Sequence, residues 1–272
     1  MPYLTTSDSA TLYYEEVGAG QPLLFIHGWS LSSQIWSRQK DYFASRYRCI
    51  VFDLRGHGRS LPSCSGYDIE VLAADVAGLF DHLALADVTL FGWSLGSLVA
   101  LAAYPAVRDR LASLVLVSGT SKYCSAADYP YGLPPKEPRS LSLLLKRNPR
   151  KAMDGFLQRM FFAEEQSERG FEEFASEVLP ELPAPSETVL VPVLRTLETA
   201  DLRSVLATIT EPVLLIHGNR DLICPTDASR FMAGQISGAH CTILAGAGHA
   251  PMYSRPREFN SVIDEYLEKI YG

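Results

Sequence analysis

Short continuous runs of Val, Ile, Leu and Phe recur along the chain, separated by stretches with helical spacing. Residues 23–27, 48–54, 88–93, 114–118, 212–217 and 241–244 are such runs. Each is bounded by turn residues and is too short for a helix, so each reads as a strand buried on both faces. Residues 11–17 read as another strand, closed by the turn Gly18-Ala19-Gly20-Gln21-Pro22. Between them lie helical stretches at 33–47, 71–85, 95–104, 228–236 and 258–270, with the third expected to stop at Pro105. Strands alternating with helices long enough to cross over predict an α/β fold, doubly wound around a mostly parallel sheet.

Residues 120–210 break that alternation. They hold no convincing strand and several helices punctuated by proline. Asn148-Pro149 suits an N-cap followed by proline in the first turn. Beyond it, Met153, Phe156, Leu157, Met160 and Phe161 form one helical stripe. A helical insertion between two strands reads as a lid over the strands' C-terminal ends, where ligands bind in open α/β sheets. The expected division is 1–119 and 211–272 for the core, with 120–210 inserted as the lid.

Composition narrows the class. Of the 272 residues, 47% are hydrophobic and 20% charged, which excludes a disordered chain. No apolar run reaches the ~20 residues of a membrane helix, and residues 1–8 lack the basic start and apolar core of a signal peptide. A net charge of −7 argues against nucleic-acid binding. Five cysteines, at 49, 64, 124, 224 and 241, include no Cys-x-x-Cys pair, which points to a reducing, cytoplasmic setting. Cys224 reads as a bystander thiol in a loop. No motif for a metal or a nucleotide stands out, so no cofactor is expected.

The strongest chemical signal is Gly92-Trp93-Ser94-Leu95-Gly96, after a strand and before a helix. In that context the serine sits on a sharp bend that lifts its hydroxyl above the sheet. Serine needs a base and an orienting group. Asp221 and His249 lie on loops just beyond successive strands, in the order this architecture uses. Ser94 is therefore the expected nucleophile, His249 the general base and then acid, and Asp221 the orienter. The oxyanion donors are expected to be the backbone N–H groups of Leu95 and Trp29. The Trp29 and Trp93 side chains would wall the pocket, with an ordinary core role still open for Trp93. His240 precedes a strand, at the wrong sheet edge. His217 ends a strand ahead of Asp221 and reads as structural, as does His57 in its glycine-rich turn. His82 reads as solvated, and Asp227 as a helix cap.

These residues, with His27-Gly28-Trp29, Asp53-x-Arg55-Gly56-x-Gly58-x-Ser60 and Gly248-His249, resemble the α/β-hydrolase superfamily over nearly the whole chain. Within it, the chain resembles the pimeloyl-[acyl-carrier protein] methyl ester esterase family of biotin synthesis. The closer cues are Trp93 in its motif, residues 197–203 and Gly248-His249-Ala250-Pro251. The resemblance implies a serine carboxylesterase whose acyl channel is lined by Phe156, Leu157 and Met160, unless these only pack the lid. The lid's charge pattern bears on a carrier. Residues 134–160 hold Lys136, Arg139, Lys146, Arg147, Arg150, Lys151 and Arg159 against Glu137 and Asp154, or 7 − 2 = +5. Arg147, Arg150, Lys151 and Arg159 would dock an acidic acyl carrier protein. Residues 161–187 are acidic, with Glu164, Glu165, Glu168, Glu172, Glu173, Glu177, Glu181 and Glu187 against Arg169, so mutual neutralisation is the competing reading. A broader esterase on short acyl esters or lactones has the same triad, and a non-catalytic receptor on the same fold is a third reading. Families that use Asp as nucleophile are disfavoured by Ser94.

Overall fold

The computed structural model describes residues 2–64, 66–179 and 185–272. Strands β1 (Tyr3–Thr5), β2 (Thr11–Val17), β3 (Pro22–Ile26), β4 (Arg48–Phe52), β5 (Val88–Trp93), β6 (Leu111–Val117), β7 (Val213–Gly218) and β8 (His240–Leu244) form one sheet. Its order is β1-β2-β4-β3-β5-β6-β7-β8. The first two strands run antiparallel and all later neighbours are parallel. Every residue of β3, β5 and β7 is buried, which explains why these strands lack polar alternation. Phe25 of β3 stacks on Phe91 of β5 at 4.4 Å, and Trp36 tilts against Phe25 at 5.3 Å.

The helices are α1 (Ser37–Phe43), α2 (Ile69–His82), α3 (Leu95–Val107), α4 (Lys136–Arg147), α5 (Pro149–Arg159), α6 (Arg169–Glu177), α7 (Glu187–Thr199), α8 (Arg203–Leu206), α9 (Thr226–Gln235), α10 (Pro251–Ser254) and α11 (Pro256–Tyr271). Two departures from the sequence reading have local causes. The edge strand β1 has only three residues, too few for a pattern, and is held by its pairing with β2. α3 runs through Pro105 to Val107. A proline in the last turn removes only one backbone bond, and the surrounding packing, with Tyr104 and Val107 buried, overrides it.

Strands β6 and β7 are parallel neighbours, yet α4 to α8 lie between them in sequence. The start of α5 follows the sequence: Pro149 opens the helix and the Asn148 side chain accepts the Lys151 N–H at 3.0 Å. α7 is tied to the core loops. Trp29 Nε1 donates to the Leu190 carbonyl at 3.0 Å, and Thr196 Oγ1 to the Tyr67 carbonyl at 2.8 Å. Val189 packs so close to Gly56 that a Cβ there would meet it at 2.7 Å. Among the described residues no helix is long and apolar enough to cross a membrane.

Candidate active site

β5 ends in the bend that carries Ser94, whose backbone has φ 56° and ψ −117°. This region costs a non-glycine residue about 1–3 kcal/mol, so its surroundings must enforce it. Two glycines make the bend possible. A Cβ on Gly92 would meet the Gly96 carbonyl oxygen at 2.4 Å, and one on Gly96 would meet that of Ile26 at 2.4 Å. The Ser94 N–H donates to the Val117 carbonyl at 3.0 Å, and Ser97 Oγ to that of Gly92 at 2.7 Å. Leu95 opens α3, and the first N–H groups of a helix have no partner within it.

His249 is fully buried. Its Nδ1 donates to Asp221 Oδ2 at 2.7 Å, while Nε2 is buried without a partner among the described residues. Three contacts clamp its backbone. The His249 N–H donates to the Met160 carbonyl at 2.8 Å, its carbonyl accepts Trp93 Nε1 at 2.8 Å, and the Gly248 N–H reaches Glu165 Oε1 at 2.9 Å. Glu165 is itself buried, and burial raises its carboxyl against the lowering effect of the Gly248 N–H. Asp221 Oδ1 accepts the backbone N–H groups of Ile223 and Cys224 at 2.7 and 2.9 Å. Burial alone would raise the Asp221 carboxyl, but the charge of His249 and hydrogen bonds from His217 and His249 hold it well below the usual carboxylate range.

The Ser94 hydroxyl lies against the Cys224 thiol. Burial pushes that thiol well up, Asp221 adds to this, and the contact with Ser94 opposes it. Cys224 is thus a buried neighbour of Ser94 rather than a thiol in an open loop. Trp29 is buried, with its ring edge-on to Phe156 at 4.7 Å. Behind it His27 Nδ1 donates to the Gly28 carbonyl at 2.7 Å and Nε2 accepts the Leu54 N–H at 2.9 Å. Burial pushes His27 down to about 4, and burial followed by the neighbouring His27 pushes His57 down to about 3.

A cavity of about 370 Å³ lies between α4, α5 and the loop after β7, lined by Tyr123, Leu141, Leu144, Ala152, Gly155, Phe156, Arg159 and Ile223 among others. Ser94 and His249 do not line it, and it meets the site through Phe156, which packs on Trp29, and Ile223, which follows Asp221. Of the residues expected to wall the pocket, Phe156 lines this cavity, and Trp29, Trp93, Leu157 and Met160 do not. Met160 is fully buried and supports His249 through its carbonyl, and Trp93 does so through its indole. The apolar stripe of α5 is its packing face, while the adjacent face leaves room because Ala152 and Gly155 are small. Of the expected docking residues, Arg147, Arg150 and Lys151 are exposed, and Arg159 pairs with Glu137 at 2.9 Å. The acidic stretch does not neutralise them in the described ion pairs. Glu164 pairs instead with Arg220, Glu168 with Arg255, Glu173 with Arg38 and Arg169, and Glu177 with Arg38. Glu181 lies outside the described residues.

Sequence reading missed Glu165 and the place of His217, which reaches Asp221 Oδ2 at 3.0 Å. Nothing local marks Glu165. For His217 the signal was its position at the end of the strand that leads to Asp221. His82 is exposed, as expected, and also meets Tyr14 Oη, 3.2 Å away. Asp227 pairs with Arg230 in the first turn of α9.

A serine raised on a strand–helix bend, with a His–Asp pair on the loops after later parallel strands, matches the architecture of the α/β hydrolases. A family model described as alpha/beta hydrolase fold matches residues 21–256, and the chain belongs to that family. It is 31% identical over 262 residues to a pimeloyl-[acyl-carrier protein] methyl ester esterase from Nitrosomonas europaea, covering 94% of this chain and 99% of that one. It is 30% identical to the AB hydrolase superfamily protein YisY of Bacillus subtilis, covering 97% and 98%. Among solved structures, an esterase from Exiguobacterium antarcticum superposes with a TM-score of 0.92 at 26% identity, covering 98% of each chain.

Proposed function

We propose that this carboxylic ester hydrolase cleaves the methyl ester of a pimeloyl chain carried on acyl carrier protein, through Ser94, His249 and Asp221. The observation that carries the chemistry is the buried His249, with Nδ1 on Asp221 and Nε2 unpartnered, beside a serine on a strained bend. In the first step the Ser94 hydroxyl leaves Cys224, gives its proton to His249 Nε2 and attacks the ester carbonyl carbon. The oxyanion takes hydrogen bonds from the Leu95 and Trp29 N–H groups. Collapse breaks the ester bond, and His249 returns the proton to the departing methanol. Water then repeats the sequence on the acyl-enzyme, with His249 first as base and then as acid, and frees the carboxylic acid. Asp221 stabilises the imidazolium throughout without itself taking a proton.

The choice of acyl group rests on the methyl ester esterase relatives, at 28–31% identity over nearly whole chains, and on the lid. The cavity of about 370 Å³ is mainly apolar, suits an extended acyl chain, and carries Arg159 and Lys136 in its wall. Exposed Arg147, Arg150 and Lys151 offer an acidic carrier a place to dock. Five free cysteines fit a cytoplasmic setting. A second reading, a broader esterase on short acyl esters or lactones, is favoured by the likeness to YisY and to the Exiguobacterium esterase. The deciding measurement is kcat/KM on pimeloyl-carrier methyl ester against free short-chain esters, with rescue of a biotin auxotroph lacking the esterase. The specialist reading expects a strong preference for the carrier substrate and growth. No turnover of that substrate, with good turnover of p-nitrophenyl acetate, leaves the broader esterase. No turnover of any ester would favour a receptor.

A further inference from the structure

We infer that His217 is a positioning residue for the Asp221–His249 pair, fixing where the shared carboxylate oxygen points and how strongly it attracts a protonated His249. The inference rests on the catalytic reading of Ser94, His249 and Asp221 given above.

His217 is the penultimate residue of β7 and is fully buried. Its Nε2 lies 3.0 Å from Asp221 Oδ2 and 2.9 Å from the Cys224 carbonyl oxygen. An ionised carboxylate and a carbonyl can only accept, so Nε2 carries the ring hydrogen and shares it between them. Nδ1 is 2.7 Å from Ser229 Oγ, whose hydroxyl then donates to it. One neutral tautomer satisfies all three contacts. Asp221 Oδ2 thereby takes two imidazole N–H groups, from His217 and from His249 at 2.7 Å. Oδ1 takes two backbone N–H groups from the following loop. Four donors meet the roughly four lone-pair sites of a carboxylate.

The donors differ in what anchors them. Those on Oδ1 belong to the loop that carries Asp221 itself. His217 sits on a strand paired on both sides, with β6 and β8. It is therefore a fixed post on Oδ2, and it opposes rotation of the carboxylate away from His249. It also draws negative charge out of Oδ2. Without it the oxygen would attract an imidazolium more strongly, and His249 would keep its proton to higher pH. The other ionisable groups facing this pair are the Cys224 thiol and the Tyr123 phenol, both pushed well up by burial and so neutral. Glu165 bonds the Gly248 N–H on the far side of the histidine loop. Replacing His217 removes a bond to the Cys224 carbonyl but adds or removes no charge among these groups.

The test is the pH dependence of kcat/KM on p-nitrophenyl acetate for wild type, His217→Met and His217→Gln. Methionine fills a similar volume with no donor, whereas the glutamine amide nitrogen can take the place of Nε2. In His217→Met the midpoint of the acid limb should rise by about 0.5–1 pH unit, and kcat should fall while KM stays within about twofold. His217→Gln should keep the wild-type midpoint. If His217→Met does not fold, His217→Asn replaces it, because its shorter amide stops short of Oδ2, and the same upward shift is expected. A donor-less variant whose acid limb coincides with wild type overturns the inference, as does a Gln variant that shifts as far as the Met variant. A wild-type profile with no acid limb overturns the catalytic reading itself, and this inference with it.

Discussion

The loop after β7 and the rim formed by α4 and α5 treat their polar groups in opposite ways. Asp221 is wholly out of water, and each of its oxygens has two donors at 2.7–3.0 Å. Across the cavity, the Arg150 side chain is 94% exposed and its nearest acid, Asp154, stands at 4.0 Å. Arg147 and Lys151 beside it are equally open to solvent. Dipoles fixed in a dry site act strongly and at short range, and they need no reorganisation during a reaction. Exposed charges act over a Debye length of about 8 Å near physiological ionic strength and are damped by salt. The first region can act only at contact distance, and the second is felt from solution and weakened by salt.

The largest effect should come from breaking the buried side. Ser94→Ala should fold normally and lower kcat on any ester by at least about 10³-fold, and Asp221→Asn should be comparably impaired. Stopped assays with the pure variants decide this. Wild-type turnover by Ser94→Ala would remove the nucleophile from the scheme.

A second effect, a few kcal/mol in folding stability, should appear on acidification. His27 and His57 are held neutral by burial, pushed down to about 4 and about 3. An unfolded histidine titrates near 6.5, so the unfolded chain binds more protons below that pH. The stability these residues contribute is complete above about 6.5 and is lost as pH falls through 4 towards 3. Urea midpoints from pH 7 to pH 4 should therefore decline. A constant midpoint would contradict a neutral buried pair.

A smaller change should follow Phe156→Ala, which enlarges the cavity wall that leans on Trp29. A loss of about tenfold in kcat/KM is expected on carrier-bound and free acyl esters alike, at any salt concentration. The smallest change sharpens the contrast most. Reversing Arg147, Arg150 and Lys151 to Glu should weaken turnover of the carrier substrate by about three- to tenfold at low salt. The deficit should fade at high salt, and small neutral esters should be untouched. Equal losses on both substrates would mean that these residues act through the folded lid instead.

The core was legible because its strands are buried on both faces and leave long apolar runs, and because the bend around Ser94 tolerates only glycine at 92 and 96. The order of Ser94, Asp221 and His249 then followed from strand ends. The lid was less legible. Its apolar stripe correctly located α5, but hydrophobicity marks what a helix packs against, not what it leaves open. Leu157 and Met160 were drawn toward the channel for that reason, while the cavity lies over Ala152 and Gly155, whose only signal is small size. The support of His249 by Met160, Glu165 and Trp93 comes from three separated segments, and all three bonds use backbone atoms of the histidine loop that almost any residue would supply. His217 was set aside because a histidine at a strand end looks the same in sequence whether it meets a carbonyl or a carboxylate.

The attachments of α7 also have a mechanical consequence. Its bonds from Trp29 to Leu190 and from Thr196 to Tyr67, with Val189 wedged over Gly56, join it to the body of the molecule. α5 is tied at its C-terminal end as well, where Arg159 donates to the Leu222 carbonyl at 2.7 Å and the Met160 carbonyl accepts the His249 N–H, whereas α4 meets α7 and α5 through surface ion pairs such as Arg139–Glu198 and Arg159–Glu137. The cover over the cavity thus behaves like a flap with one riveted edge. Amide protons of α7 should exchange with deuterium as slowly as those of the central strands, while those of α4 exchange far sooner. A ligand would then enter on the α4 edge, away from Trp29.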